Sequence, residues 1–238
     1  MRLYLVRHAQ SEANAGLPGA TRDSRLTELG RRQAEAVAQR LARHRIGRVL
    51  ASPYVRTLET AEAIRLATGA PATVLPLLHE HQVRPFEVDD WPLLSRAALG
   101  ERYPDFALPS DFAFDPRWHD APETEAGVLR RAGQVVLELW HAYAAAPDGD
   151  QEVRLVVVSH GSPTAKLILA ALGLAIGPGI DVQLRIDNAS ISTVEYFPPS
   201  RLLLGLNRVE HLEPLRVDWP AADPGYPRQR CAPLLEGA

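Results

Sequence analysis

Leu3-Tyr4-Leu5-Val6 runs without a break into Arg7-His8-Ala9-Gln10-Ser11-Glu12. A short apolar run without clean alternation suits a strand covered on both faces of a sheet. Here it delivers an arginine and a histidine from its carboxyl end. The same order returns late in the chain, where Val153-Arg154-Leu155-Val156-Val157-Val158 runs into Ser159-His160-Gly161-Ser162-Pro163. Arg48-Val49-Leu50-Ala51 and Thr73-Val74-Leu75-Pro76 are two further strand candidates. Helical patterns lie between them. Leu26 to Leu41 places Leu29, Ala34, Val37, Ala38 and Leu41 at helical spacing, with Thr27 as N-cap. Thr57 to Ala67 follows Ser52-Pro53, Glu125 to Ala146 is amphipathic and stops at Pro147, and Pro163 to Leu172 stops at Gly173.

Strands alternating with helices imply βαβ crossovers, so the expected fold class is α/β: a three-layer α/β/α sandwich with a mostly parallel central sheet. No internal repeat or Gly/Ser linker divides the chain, and a single domain over residues 1–238 is expected. One stretch breaks the rhythm. Residues 85–122 hold six prolines and seven of the fifteen aromatic residues, among them Phe86, Trp91, Phe106 and Trp118. A stretch so long and irregular reads as a cap or lid insertion, with a small satellite core as the plainer reading. Residues 208–238, rich in proline, read as a C-terminal surface extension.

Composition narrows the function classes. The chain has 238 residues, 26 basic and 29 acidic, for a net charge of −3, which gives no electrostatic reason to expect nucleic acid or an anionic membrane as partner. Lys166 is the only lysine, so an anion site must be built from arginine. Cys231 stands alone, so no internal disulfide forms. The start MRLYLVRH has no signal-peptide h-region, and the run Leu167 to Ile176 is too short to span a bilayer. A cytoplasmic location is expected.

In open α/β sheets ligands bind where strands deliver their carboxyl ends. Three junctions, Arg7-His8, Ser52-Pro53-Tyr54-Val55-Arg56 and Ser159-His160, bring two histidines and two arginines to one sheet edge. That set suits a phosphoryl group. Guanidinium forks bind its oxygens, helix N-termini add partial positive charge, and a neutral imidazole can attack phosphorus without a metal.

Val6-Arg7-His8-Ala9-Gln10-Ser11-Glu12-Ala13-Asn14 resembles the signature of the histidine phosphatase superfamily, the fold of cofactor-dependent phosphoglycerate mutases and their phosphatase relatives, with Arg-His-Ala where Arg-His-Gly is usual. The resemblance continues through Asp23-Ser24-Arg25-Leu26-Thr27-Glu28-Leu29-Gly30, through Ser52 to Ala61, and through Glu123-Thr124-Glu125-Ala126 with Arg130 and Arg131. It ends with Val157 to Gly161 and Asn188 to Ser192. It implies that His8 is the nucleophile that becomes phosphorylated, and that Arg7, Arg56 and His160 complete the phosphate pocket. Gln10 and Asn14 fall where relatives contact substrate, and Gly161, beside His160 in its motif, joins that set. The acid that protonates the leaving group follows the third strand, where Glu80 fits, with Glu87 and Asp89 as alternatives. Ala9 in place of glycine implies a backbone outside the left-handed region.

The resulting expectation is a phosphatase for small-molecule phosphate monoesters, working through a phosphohistidine on His8, with no metal and no cofactor. A phosphoglycerate-type mutase and a non-catalytic phosphate-sensing module are the alternatives. A metal hydrolase using His79, His81 and His119 is a third, though their spacing matches no familiar ligand pattern.

Overall fold

The computed structural model describes residues 1–82, 94–110, 122–143, 153–174, 182–213 and 215. Among these residues seven strands form one sheet: β1 (Arg2–Arg7), β2 (Arg48–Ala51), β3 (Ala72–Val74), β4 (Phe106–Ala107), β5 (Arg154–Ser159), β6 (Ile191–Phe197) and β7 (Ser200–Arg208). Their order is β4-β3-β2-β5-β1-β6-β7. The first five in that order are parallel, and the β6–β7 hairpin closes the other edge antiparallel. Among the described residues five α-helices accompany them: α1 (Glu28–Leu41), α2 (Val55–Thr68), α3 (Arg96–Arg102), α4 (Glu125–Tyr143) and α5 (Gly161–Leu172).

Strand periodicity sorts the core into two halves. Tyr4 and Val6 of β1 face one side, where Val37 and Leu41 of α1 and Leu58 and Ile64 of α2 pack. Leu3 and Leu5 face the other, against Val135 and Leu139 of α4 and Leu167 and Ile168 of α5. Both β1 and β5 are buried on two faces, which explains their unbroken apolar sequences. Thr27 caps α1 as expected, its side chain accepting from the Gly30 N–H. A Cβ at Gly30 would lie 2.0 Å from the Gln10 carbonyl oxygen, so only glycine lets α1 approach the loop after β1.

In the described part of the expected cap, residues 94–110, helix α3 is followed by the two-residue strand β4. β4 pairs with β3 as an edge strand, and Leu99, Tyr103 and Phe106 are buried in the same core as α1 and α2. Apolar burial here extends the main core. Residues 85–93 and 111–121, with Phe86, Glu87, Asp89, Trp91, Phe112, Phe114, Trp118 and His119, lie outside the described residues. At the other end Arg208 finishes β7, and a short turn, Glu210–Leu212, buries Leu212 against the α1 side of the core. Residue 214 and residues 216–238, including Cys231, are also outside the description. No helix among the described residues is long and apolar enough to cross a membrane.

Candidate active site

β2, β5 and β1 are neighbours in the sheet, so the loops at their carboxyl ends meet. His8 follows β1, and its backbone N–H donates to the Ser159 carbonyl at 2.9 Å. His160 follows β5, and Arg56 lies in the first turn of α2 after β2. His8 and His160 are 2% and 0% exposed, with ring centroids 5.3 Å apart.

The tautomer of His8 is fixed from both sides. Its Nδ1 lies 2.8 Å from the Ala9 carbonyl, which can only accept, so Nδ1 carries the proton. Its Nε2 accepts from Arg56 Nε–H at 3.1 Å, so Nε2 bears the lone pair. Burial, then the charges of Arg56 and Arg7, hold His8 well below the usual histidine value, against the Ala9 hydrogen bond. His160 is likewise lowered by burial and then by Arg56, with His8, His79 and Arg131 adding to it. Its Nε2 is 2.8 Å from Ser52 Oγ, and Tyr54 packs edge-on against its ring at 4.9 Å.

Arg56 is only 6% exposed. Besides His8 it holds the Arg22 carbonyl through Nη1, and its guanidinium lies 4.6 Å from the Tyr54 ring centroid. Arg7 donates from Nη1 to the Ile186 carbonyl at 2.6 Å. A Cβ at Gly161 would stand 3.6 Å from the Arg7 Cζ, so the α5 N-terminus lies directly under that guanidinium.

Glu80 reaches the same space. Its Oε2 is 3.4 Å from His160 Nδ1 and 3.5 Å from Arg56 Nη2, and its Oε1 accepts the His81 N–H at 2.9 Å. A buried Arg131–Glu123 pair with two hydrogen bonds, at 3.0 and 2.7 Å, sets the loop that carries it. Arg131 also donates to the carbonyls of Leu77 and His79, and Ser159 Oγ donates to that of Leu78.

Ligand atoms of His8, Glu80 and His160 lie within 4.8 Å of one another, a spacing that a metal ion could use. Arg56 meets Glu80 and His8 there and the Arg7 charge also acts on His8, a combination that favours an anion. His79 and His81 point elsewhere: His79 Nδ1 meets the Glu80 carbonyl and His81 Nε2 the Glu123 carbonyl, each at 2.8 Å.

The remaining expected residues sit at the rim. Gln10 accepts from Thr27 Oγ1 at 2.8 Å through its side-chain oxygen, so that oxygen ties the loop to α1. Asn14 is exposed, and its Oδ1 accepts from Asn188 Nδ2 at 3.0 Å, which also donates to the His8 carbonyl. Ala9 is fully buried, and the non-glycine residues with positive φ are Ala189 and Asn207 among those described. Ser52, Tyr54 and Asn188 are site residues that sequence reasoning left without a role. Ser52 and Tyr54 belong to the quoted Ser-Pro-Tyr-Val-Arg motif, and that was the signal available.

A family model, the histidine phosphatase superfamily (branch 1), matches residues 3–208. The chain belongs to this superfamily. Among curated proteins, a probable phosphoglycerate mutase of Yersinia pestis is 30% identical over 229 residues, covering 94% of this chain and 98% of that relative. Among solved structures, a mycobacterial glucosyl-3-phosphoglycerate phosphatase complexed with VO3 is 27% identical with a TM-score of 0.60, covering 87% of this chain and 99% of that one. A phosphoserine phosphatase from Entamoeba histolytica, 22% identical with a TM-score of 0.60 and covering 89% and 98% of the two chains, shares the fold.

Proposed function

We propose that the chain is a metal-independent phosphatase for small-molecule phosphate monoesters, with His8 as the group that is transiently phosphorylated. The observation that carries this reading is the fixed tautomer of His8, whose Nε2 lone pair faces Arg56 in a space shared with His160 and Glu80. Phosphoryl transfer asks a protein mainly for position and charge compensation. Arg7, Arg56 and the α5 N-terminus beneath His160 would supply that charge for the three equatorial oxygens.

In the first step His8 Nε2 attacks phosphorus in line as the bond to the ester oxygen breaks, and the Glu80 carboxyl group delivers its proton to the departing alcohol. His160 hydrogen-bonds an equatorial oxygen while charge moves. In the second step Glu80 takes a proton from water, the water oxygen bonds to phosphorus, and the P–N bond breaks. Inorganic phosphate leaves, and His8 and Glu80 return to their starting protonation states.

A second reading is favoured by one observation, the 30% identity to a probable phosphoglycerate mutase. A mutase would pass the phosphoryl group from His8 to a second hydroxyl, where a phosphatase passes it to water. Incubation with 3-phosphoglycerate and a 2,3-bisphosphoglycerate primer separates the two. The phosphatase reading expects phosphate release that survives prolonged chelator treatment and is lost in His8→Ala. Formation of 2-phosphoglycerate with negligible phosphate release would establish the mutase. No turnover on any phosphate ester would leave a phosphate-binding module.

A further inference from the structure

Asp23 opens the stretch Asp23-Ser24-Arg25-Leu26-Thr27, and none of the steps above uses it. It is buried, 6% exposed, behind the phosphate pocket. Its Oδ1 accepts the Val55 N–H at 2.7 Å, and Val55 is the first residue of α2. Tyr54, in the N-cap position, gives that helix no side-chain cap, so a carboxylate from a loop far back in the sequence takes over the task. On one side of Asp23, the Arg22 carbonyl accepts from Arg56 Nη1. On the other, the Leu26 N–H donates to Glu59 Oε2 at 2.8 Å. These three links fasten the 22–26 loop along the first turns of α2, on both sides of Arg56 in the sequence.

Capping alone does not call for a carboxylate, since an asparagine or serine oxygen would serve. The second carboxyl oxygen of Asp23 is buried without a hydrogen-bond partner among the described residues. The charged and titratable groups that face Asp23 are Arg56 and Glu59 on α2, Tyr54 at its cap, and Arg102 and Tyr103 at the end of α3. The group therefore lies against the arginine that touches His8, with one oxygen left for a proton.

We propose that Asp23 is a positioning residue for the phosphate pocket: it sets the Arg56 guanidinium against His8 by clamping the start of α2, and its carboxyl group takes up a proton from solvent when a phosphate dianion occupies the site. The inference rests on the phosphate-pocket reading above. Burial pushes this carboxyl up to about 7, helped by Glu59 and opposed by the Val55 N–H, Arg56 and Arg102. A dianion held by Arg56 disfavours a second negative charge nearby, so binding raises it further. Linkage then gives the sign: if binding takes up a proton, anion affinity weakens as pH rises through about 7.

The test compares wild type, Asp23→Asn and Asp23→Ala, using p-nitrophenyl phosphate turnover and calorimetric binding of inorganic phosphate between pH 6 and 9 (a range chosen to span about one to two units around the group). Asp23→Asn keeps the oxygen that caps Val55, so its kcat should stay within ~3-fold of wild type, whereas Asp23→Ala should lose ~10-fold or more as Arg56 shifts. Wild-type KM and phosphate Kd, each divided by the Asp23→Asn value at the same pH, should rise above pH 7 by up to ~10-fold per unit. The division cancels ionisation of the phosphate itself. The proposal is overturned if Asp23→Asn loses as much kcat as Asp23→Ala, if Asp23→Ala folds and keeps full kcat, or if the ratios are flat with pH. Should wild type turn over no ester, the phosphatase reading falls, and the phosphate-binding ratio still decides the role of Asp23.

Discussion

Arg56 Nε–H donates to His8 Nε2 at 3.1 Å, so the proposed attacking lone pair is held by the guanidinium until an incoming phosphoryl oxygen takes that N–H and sets the lone pair free. In the proposed scheme nucleophile and phosphate grip are thus coupled. A lysine in this position has a single ammonium in place of the fork and cannot hold the Arg22 carbonyl while presenting a planar pair of N–H groups to a phosphate. Arg56→Lys is predicted to lower kcat/KM by about 100- to 1000-fold, as loss of a charge-stabilising donor does elsewhere. Steady-state kinetics on an aryl phosphate check it, and a loss of less than a few-fold would remove Arg56 from the mechanism.

The pH profile follows from the same pair. His8 and His160 are held well below the ordinary histidine value of 6.5, by burial first and Arg56 second. The nitrogen proposed to attack phosphorus therefore stays unprotonated below that value, and kcat/KM is predicted to persist through pH 6, with its acid limb lower still. Stability moves the other way. Unfolded histidines protonate as pH falls through 6.5 while the folded ones do not, so the folded state loses up to ~1.4 kcal/mol per pH unit per histidine in that window. Denaturant midpoints should drop from pH 7 toward 5, less steeply in His8→Ala.

Arg131 carries no charge to the substrate in this scheme, yet it fastens the loop that presents Glu80. Removing it takes the guanidinium from the buried Glu123 carboxylate and the Arg131 hydrogen bonds from the Leu77 and His79 carbonyls. Arg131→Ala is predicted to cost about 3–5 kcal/mol of stability, the range for breaking one partner from a buried pair. At temperatures where the variant stays folded, kcat should fall more than KM rises, because the proton transfer proposed for Glu80 belongs to the chemical step.

Gly30→Ala tests the packing that sets the His8 loop. The new Cβ would fall 2.0 Å from the Gln10 carbonyl oxygen, a backbone atom that moves only with the loop. A loss of ~2 kcal/mol or more in stability is predicted, together with reduced activity. Thermal melting and turnover measured on the same sample check both.

Sequence and structure agree best where burial dictates composition. β1 and β5 are covered on two faces and read as unbroken apolar runs, and Thr27 caps α1 as its place before the helical pattern suggests. β4 has two residues and sits in a proline- and aromatic-rich stretch, so nothing local marks it as sheet. β7 is exposed along much of its length, so no buried face imposes a pattern. Helix α2 begins at Val55, two residues before the expected Thr57, because its first N–H is capped by Asp23 from another loop. The site divides the same way. His8, Arg7, Arg56 and His160 were legible as junction residues, whereas the Ser52–His160 contact joins positions 108 residues apart, which no local pattern reveals.

Trapping the intermediate decides the mechanism. Wild-type protein mixed with labelled phosphate ester and quenched within milliseconds in alkaline detergent should carry phosphate on His8, stable to alkali, released by acid, and absent in His8→Ala. Label on a serine or aspartate, or turnover that persists undiminished in His8→Ala, would contradict it.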